Sequence, residues 1–281
     1  MLRMSPRTVY HLVSRGDIPF RRARGRLLFE RHRIEAWLAA SAQGPLMDDL
    51  GPVDQIIAGS HDPLLEWAVR NSGSGLALAC QGSSDGLARL AARQACAALI
   101  HLPDPQGSGF NTQAIRDALG GLPVVSLHWA VREQGLVLAP GNPLKINSLR
   151  DLVRRRVRVV RRQSGAGSNH LFVRLLRQAG FGIEGLRVIE PLALNETEVA
   201  EAVLDGYADA GLAIRAVAQR HGLHFLPLAE ESVELVAWRR SVFEPPLQAL
   251  LEITRSRRFA RQAKSLGGYD LAGLGAVRYN G

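Results

Sequence analysis

The chain has 281 residues, 46% of them hydrophobic, with 35 lysines and arginines against 26 acidic residues and a formal net charge of +9. No stretch approaches the roughly 18 to 20 continuous apolar residues that a membrane-spanning helix needs, and no apolar signal-peptide core is present, so we expect neither membrane insertion nor export. Cys80 and Cys96 have no metal-ligand spacing and are predicted to be buried thiols of a cytoplasmic protein.

The first predicted element is a helix over residues 6–15. Ser5 is a typical N-cap, Pro6 suits the first helical position, and Gly16 suits the position after the last turn. One face of this helix is an apolar stripe made by Val9, Leu12 and Val13. The opposite face carries donors and flat rings that suit phosphates and base edges: Arg7, Thr8, Tyr10, His11 and Arg15.

Two short strands around a turn are predicted next, between residues 18 and 29, with arginines on or beside the tip at positions 21, 22, 24 and 26. A second amphipathic helix follows, with Ile34, Trp37 and Leu38 on one face. Residues 1–41 hold nine arginines and three acidic residues, and therefore carry six of the nine net positive charges. Such a local excess indicates a nucleic-acid partner, the alternative being a solvated basic face.

This order of elements is that of a winged helix-turn-helix, in which the helix enters the major groove and the wing contacts the DNA backbone. The motifs "SPRTVYHLV", "GDIP" and "IEAWL" resemble the MerR/excisionase type of this domain. The resemblance implies double-stranded DNA as a partner, contacted by Arg7, Thr8, Tyr10, His11, Arg15, Arg22, Arg24 and Arg26. Members of that family carry one more helix in front, of which Leu2 and Arg3 can form only the last turn, so we expect the chain to lack this helix.

The stretch 42–52 is predicted to be a linker because it is rich in glycine and proline and contains Asp48-Asp49. The stretch 53–281 is too long to form one small core, and its length suits two lobes of ordinary domain size. Strands are predicted over 53–58, 76–80, 97–102, 123–127, 136–139, 157–160, 186–189, 210–214 and 225–228. Helices are predicted over 63–70, 86–95, 168–179 and 196–205. This alternation predicts an α/β fold with parallel sheets, whose ligands bind beyond the carboxyl ends of the strands.

Three of the strand-to-helix loops share one chemistry: "AGSHDP" (58–63), "QGSSDG" (81–86) and "RRQSGAGSNH" (161–170). A helix N-terminus offers free N–H groups and a partial positive charge, and serine hydroxyls add uncharged donors. A single such loop is more simply explained as a helix cap. Three of them converging predict a cradle for an anion.

The segments "GSHDPLLEWAV", "REQGLVLAPGNPLKI", "VRVVRRQSGAGS", "ADAGLAI" and "LGGYD" are similar to a substrate-binding domain of the type II periplasmic-binding-protein fold. The branch they resemble is fused to helix-turn-helix domains or found with molybdenum-cofactor biosynthesis proteins. The resemblance implies two α/β lobes, lobe 1 at about 53–130 with 235–281 and lobe 2 at about 135–230, joined by crossing strands near 130–138 and 231–238. It also implies molybdate, tungstate or a molybdenum-cofactor-like anion as ligand.

The family's ligand positions, carried over by motif, are Ser60, His61, Ser83, Ser84, Arg162, Ser164, Gly165 and Ser168. Arg162 is the charged member, and it leaves open a larger, phosphorylated ligand. No metal site, resident cofactor or catalytic group is predicted, because paired carboxylates, metal-ligand clusters and a P-loop are missing from the sequence. We expect a cytoplasmic, homodimeric transcription regulator that senses a small anion. The alternative is an enzyme or ligand carrier of molybdenum-cofactor metabolism on the same fold.

Overall fold

The computed structural model describes residues 4–23, 25–40, 53–105 and 109–281. The chain divides into two compact units, Met1–Pro52 and Val53–Gly281. Across the described ranges, none of the helices has both the length and the apolar character needed to cross a membrane. The predicted extra turn at Leu2 and Arg3, the linker over 42–52 and Arg24 lie outside the described residues.

The N-terminal unit consists of α1 (Pro6–Arg15), a hairpin of β1 (Arg21–Ala23) and β2 (Arg26–Leu28), and α2 (Arg31–Ala40). The predicted helix start is confirmed, since the Ser5 side chain accepts a hydrogen bond from the N–H of Thr8 at 3.2 Å. Gly16 ends α1 in the left-handed conformation, with φ of 75°. Among the described residues of this unit, the buried apolar cluster consists of Val13, Ile18 and Ile34.

The C-terminal unit alternates strands and helices, which confirms the predicted α/β class. The predicted parallel pairing holds for the outer strands, whereas the central strands pair antiparallel, so the sheet is mixed. Its first lobe contains β3 (Ile56–Gly59), α3 (Pro63–Ser72), β4 (Ala77–Ala79), α4 (Ser83–Ala91), β5 (Ala97–Ile100) and α5 (Thr112–Leu119). Its second lobe contains α6 (Leu149–Arg154), β7 (Arg158–Arg162), α7 (Gly167–Gln178), β8 (Arg187–Ala193), α8 (Glu196–Leu204), β9 (Ala210–Ile214) and α9 (Arg215–Arg220).

Two strands of 15 residues each, β6 (Val124–Leu138) and β10 (His224–Trp238), run through both lobes. They pair antiparallel along their whole length. Eight strands of the ten-stranded sheet follow the order β4-β3-β5-β10-β6-β9-β7-β8, and the last two strands of the chain pair with β6 off this path. The extended segments predicted at 123–127 and 136–139 are therefore parts of one continuous strand, which also contains the crossing segment expected near 130–138. The sequence pattern broke at Arg132, Glu133 and Gln134, and the strand tolerates these polar residues because side chains from distant segments pair with them.

The chain then returns to the first lobe through α10 (Arg239–Val242), α11 (Pro245–Thr254) and α12 (Arg257–Leu266), followed by β11 (Tyr269–Asp270) and β12 (Val277–Asn280). Both final strands pair with β6. β11 lies opposite Arg132 and Val131, so the end of the chain reaches the point where the lobes meet.

Helix α4 begins at Ser83, three residues earlier than the sequence predicts, and it packs unusually closely on β3. Gly86 allows this approach, since a Cβ there would lie 2.5 Å from the Cα and 2.9 Å from the N of Gly59. These are backbone atoms that cannot swing aside. The close packing holds the first turn of α4 directly beside the end of β3.

We expect Gly86→Ala to lower the free energy of unfolding by about 1–3 kcal/mol through overpacking, although alanine favours a helix by about 1 kcal/mol. Urea-induced unfolding measures this change. Ala88→Gly on the exposed face of the same helix is the control, because it reports helix propensity alone. Unchanged or increased stability in Gly86→Ala would contradict the close packing of α4 on β3.

Candidate functional site

The N-terminal ends of α4 and α7 face each other across the cleft between the lobes. The N–H of Ser84 donates to the carbonyl of Gly165 at 3.3 Å, and the side-chain amide of Gln163 donates to the carbonyl of Gln81 at 3.3 Å. Neither helix has a side-chain cap at its N-terminus. Two positive helix ends from opposite lobes therefore converge on one region, where they favour an anion.

A pair of buried hydroxyls lies at the first-lobe side of this region. The oxygens of Ser60 and Ser83 are 2.7 Å apart, and Ser83 also accepts the N–H of His101 at 3.2 Å. One hydroxyl must donate to the other, and this uses one of the two hydroxyl protons. Whichever way the bond runs, the second proton remains available for a ligand.

The second-lobe side is formed by the first turn of α7. Ser168 is only 1% exposed, and within the described part of the chain its hydroxyl has no hydrogen-bond partner. The next residue, Asn169, accepts a hydrogen bond from Arg161 at 2.9 Å. A buried hydroxyl without a partner is costly, and a ligand oxygen would remove that cost.

Arg162 is buried at the end of β7 and donates to two backbone carbonyls, those of Ala193 at 3.2 Å and Leu194 at 2.9 Å. Burial lowers the pKa of this guanidinium, and the negative charge of Glu196 opposes that effect. No ion pair neutralises Arg162 directly among the described residues. It therefore supplies positive charge beside the cleft while its orientation is fixed by the backbone.

The remaining predicted ligand residues lie at different places. Ser84 and Ser164 are exposed and Gly165 is half-buried, so these three form the rim where the two loops touch. His61 lies instead beside α3, with its Nε2 3.7 Å from a carboxylate oxygen of Glu66. The structure thus brings Ser60 and Ser83 together, and it directs the ring of His61 toward Glu66 of α3.

Beneath the serines lies a buried network of charged groups that the sequence analysis did not identify. Arg132 donates to Asp62 at 2.7 Å and to Glu231 at 2.5 and 2.9 Å. Glu231 also contacts Nδ1 of His101 at 2.7 Å, and the hydroxyl of Tyr269 donates to Asp62 at 2.8 Å. The network therefore joins both crossing strands to the loops that follow β3 and β5.

This network keeps Glu231 charged. Burial alone would raise the pKa of Glu231, but the charges of His101 and Arg132 outweigh it and lower that pKa. Gln134 extends the network by donating to Glu231 at 3.1 Å and to Glu196 at 3.0 Å. A sequence signal did exist, since Arg132 and Gln134 are polar residues two positions apart in a strand, a spacing that places them on one face.

His101 also connects the two lobes by contact. A Cβ at Gly167, the first residue of α7, would lie 2.7 Å from the carbonyl oxygen of His101 and 2.8 Å from its ring. Glycine is therefore the residue that lets α7 approach the end of β5. His101 thus belongs to the candidate site although the sequence analysis did not select it.

The described residues of the cleft supply hydrogen-bond donors and positive charge. Burial, with Asp62 and Glu66 nearby, raises the pKa of the Cys80 thiol to about 11, and burial raises that of Cys96 to about 11. Both thiols are therefore protonated near neutral pH and are weak nucleophiles. Within the described ranges, no three histidine, cysteine or acidic side chains are grouped so that they could hold a metal ion.

The N-terminal unit presents a separate candidate interface. Arg7, Thr8 and His11 are exposed on α1, and Tyr10 is 66% exposed. Arg15 is exposed as well and forms an ion pair with Asp17 at 2.8 Å. Arg22 and Arg26 are exposed on the two strands of the hairpin. This arrangement of cations and flat polar groups suits phosphates and base edges.

A protein-family model matches each of the two units. The PBP superfamily domain matches residues 65–255, which is more than half of the chain. The chain belongs to the PBP superfamily. A helix-turn-helix domain family of the excisionase-like type matches residues 1–42. The helix-turn-helix domain suggests DNA binding, and the PBP-like domain suggests a small ligand.

The uncharacterized protein YvgK of Bacillus subtilis is 27% identical over 178 residues, which cover 63% of this chain and 57% of that protein. Among solved structures, a putative phosphate transporter substrate-binding protein from Clostridium perfringens with bound phosphate is 13% identical, with a TM-score of 0.57, over 75% of this chain and 96% of that one. PEB3 with bound L-phospholactate is 17% identical, with a TM-score of 0.52, over 76% and 98%. These structures show the two-lobed fold of this PBP-superfamily member.

We expect Arg132→Met to lower the free energy of unfolding by about 3–5 kcal/mol, because it leaves the carboxylates of Asp62 and Glu231 buried without their cation. Urea-induced unfolding of the full chain measures the change. The matched control is Arg154→Met on the exposed surface of α6, which should change stability by no more than about 0.5 kcal/mol. Equal effects of the two substitutions would show that the network does not stabilise the fold.

Proposed function

We propose that this PBP-superfamily protein is a one-component transcription regulator whose cleft binds a small oxyanion. The observation that carries the proposal is the convergence of the α4 and α7 N-termini, with the hydroxyls of Ser60, Ser83 and Ser168 beside them. These groups donate hydrogen bonds without carrying a full charge, which is how a tetrahedral oxyanion can be held in a buried site. Molybdate and tungstate are the first candidate ligands, and a molybdenum-cofactor-related anion is the larger one.

Phosphate is a further candidate ligand of the cleft. The Clostridium perfringens protein has phosphate bound and PEB3 has L-phospholactate bound, and both of these ligands present oxygen atoms around a phosphorus centre. The donors of this cleft fit such a group by the same chemistry as molybdate. The ligand class proposed here is therefore the tetrahedral oxyanion, and the central atom is decided by binding measurements.

The proposed switch is closure of the two lobes around the ligand. Donors come from both lobes, so the closed arrangement gains contacts that an open one lacks, and a ligand shifts the equilibrium toward closure. We propose that this change is transmitted to paired helix-turn-helix domains in a homodimer, because such domains commonly read two half-sites. A cytoplasmic location follows from access to DNA. We propose binding without turnover, since the described cleft offers donors and charge but no activated nucleophile.

We expect calorimetry on the full chain to detect stoichiometric binding of at least one anion among molybdate, tungstate, sulfate and phosphate. Ser168→Ala and Ser83→Ala should each weaken it about tenfold, since losing one buried hydrogen bond costs about 1–3 kcal/mol. Ser265→Ala, on the exposed surface of α12, is the control and should leave the affinity unchanged. Absence of binding by all four anions, or full affinity in the Ser83/Ser168 double variant, would refute the anion site.

We expect the double substitution Arg22→Ala and Arg26→Ala to weaken binding to all duplex sequences alike and to reduce the slope of log affinity against log salt by about two. The reason is that each arginine on a phosphate releases about one counterion. Fluorescence anisotropy with a labelled duplex at several salt concentrations measures the slope. Removing two exposed arginines of the C-terminal unit, Arg255 and Arg257, is the matched control for net charge. An equal effect of both pairs would contradict a specific role of the hairpin.

A further inference from the structure

We propose that the cleft contains a second anion subsite at Arg174 of α7, so that the ligand is a small organic molecule with two anionic groups, such as a phosphorylated carboxylic acid. This inference rests on the proposed anion-binding function of the cleft. It changes the ligand class from a bare oxyanion to a molecule that places one group at the helix N-termini and the other at Arg174.

The first observation is that Arg174 has buried donors without partners. Its Nε and Nη1 atoms are inaccessible to solvent, and they have no hydrogen-bond partner among the described residues. The guanidinium stacks on the ring of Phe110, with 4.9 Å between its carbon and the ring centroid. A stack on an aromatic face orients the cation but leaves its N–H groups unsatisfied.

The second observation is that Arg174 belongs to the face of α7 that meets the first lobe. Gly167, His170 and Arg174 lie at i, i+3 and i+7, which places them on one side of the helix. Gly167 contacts His101, and the pKa of the exposed His170 is lowered by partial burial of its ring and by the charge of His101. Phe110 follows β5 of the first lobe and packs against the apolar cluster of the second lobe, so its stack with Arg174 lies where the two lobes meet.

The third observation concerns charge. Burial lowers the pKa of Arg174, and the carboxylates of Asp104 and Glu231 oppose that effect without forming a direct ion pair. Glu231 already contacts Arg132 and His101. The cation of Arg174 is therefore without a dedicated carboxylate in the described part of the protein, and an anionic group of a ligand would supply one.

The spacing sets the size of the ligand. Ser168 and Arg174 are six positions apart, which is roughly 9 Å along the helix at 1.5 Å per residue and about 120° around its axis at 3.6 residues per turn. Side chains on a helix lean toward its N-terminus, so the guanidinium lies closer to Ser168 than the Cα positions do. A bare tetrahedral oxyanion at the α7 N-terminus cannot reach Arg174, whereas a molecule with two anionic groups a few bonds apart can bridge both.

The test compares matched probes by calorimetry on the full chain. Inorganic phosphate and ethyl phosphate carry one anionic group, and 2-phosphoglycolate carries a carboxylate in addition. Sulfate and sulfoacetate form a second pair. We expect the two-group probe of at least one pair to bind about tenfold more tightly than its one-group partner. Arg174→Met should abolish this advantage and leave the affinity for phosphate or sulfate unchanged, and Arg174→Lys should retain part of it.

The matched control is Arg177→Met, which removes an exposed cation from the same helix and should preserve the advantage. Equal affinity for one-group and two-group probes in the unmodified protein would overturn the second subsite, as would binding of molybdate alone. An Arg174→Met variant that weakens phosphate and 2-phosphoglycolate equally would also overturn it. If none of these probes and no molybdate binds, the anion-binding function itself fails together with the subsite.

Discussion

The structure of the C-terminal, ligand-binding unit (residues 53–281) depends on one buried cation, the guanidinium of Arg132. It lies at the middle of β6, where the two lobes meet, and it is 1% exposed. A charge at that depth is tolerated only with partners, and Asp62 and Glu231 provide them from the loop after β3 and from β10. Tyr269 adds the returning end of the chain through Asp62. Four distant segments are thereby held at the floor of the cleft.

The partners of Arg132 also position residues of the candidate site. Asp62 caps α3 by accepting the N–H of Leu65 at 2.7 Å, so its carboxylate serves both the helix and the cation. Glu231 fixes the ring of His101, and the N–H of His101 fixes Ser83. The charged groups of the network pair with one another, whereas Arg162 and Arg174 have no direct carboxylate partner among the described residues. Positive charge is thus left for a ligand on the side of the cleft formed by β7 and α7.

The two units differ in how they are stabilised. The ligand-binding unit has extensive apolar clusters on both faces of its sheet, including Trp129 and Phe259 in the first lobe and Leu171 and Phe172 in the second. The helix-turn-helix unit has a small buried core and many exposed arginines. A polyanion that binds only the folded state of this unit would therefore stabilise the unit.

Local chemistry in the sequence determined the starts of α1 and α3 and the composition of the strand-end loops. Ser5-Pro6 and Asp62-Pro63 specify caps within three residues of the groups that they satisfy, and the glycine- and serine-rich loops indicate hydrogen-bond donors at the strand ends. Tertiary structure decided which donors are buried. Ser168 is enclosed while Ser164, in the same loop, is exposed, and Arg132 finds partners 70 and 99 positions away. Periodicity and capping report contacts within a few residues, whereas a buried charge is stabilised by groups that only the folded chain brings together.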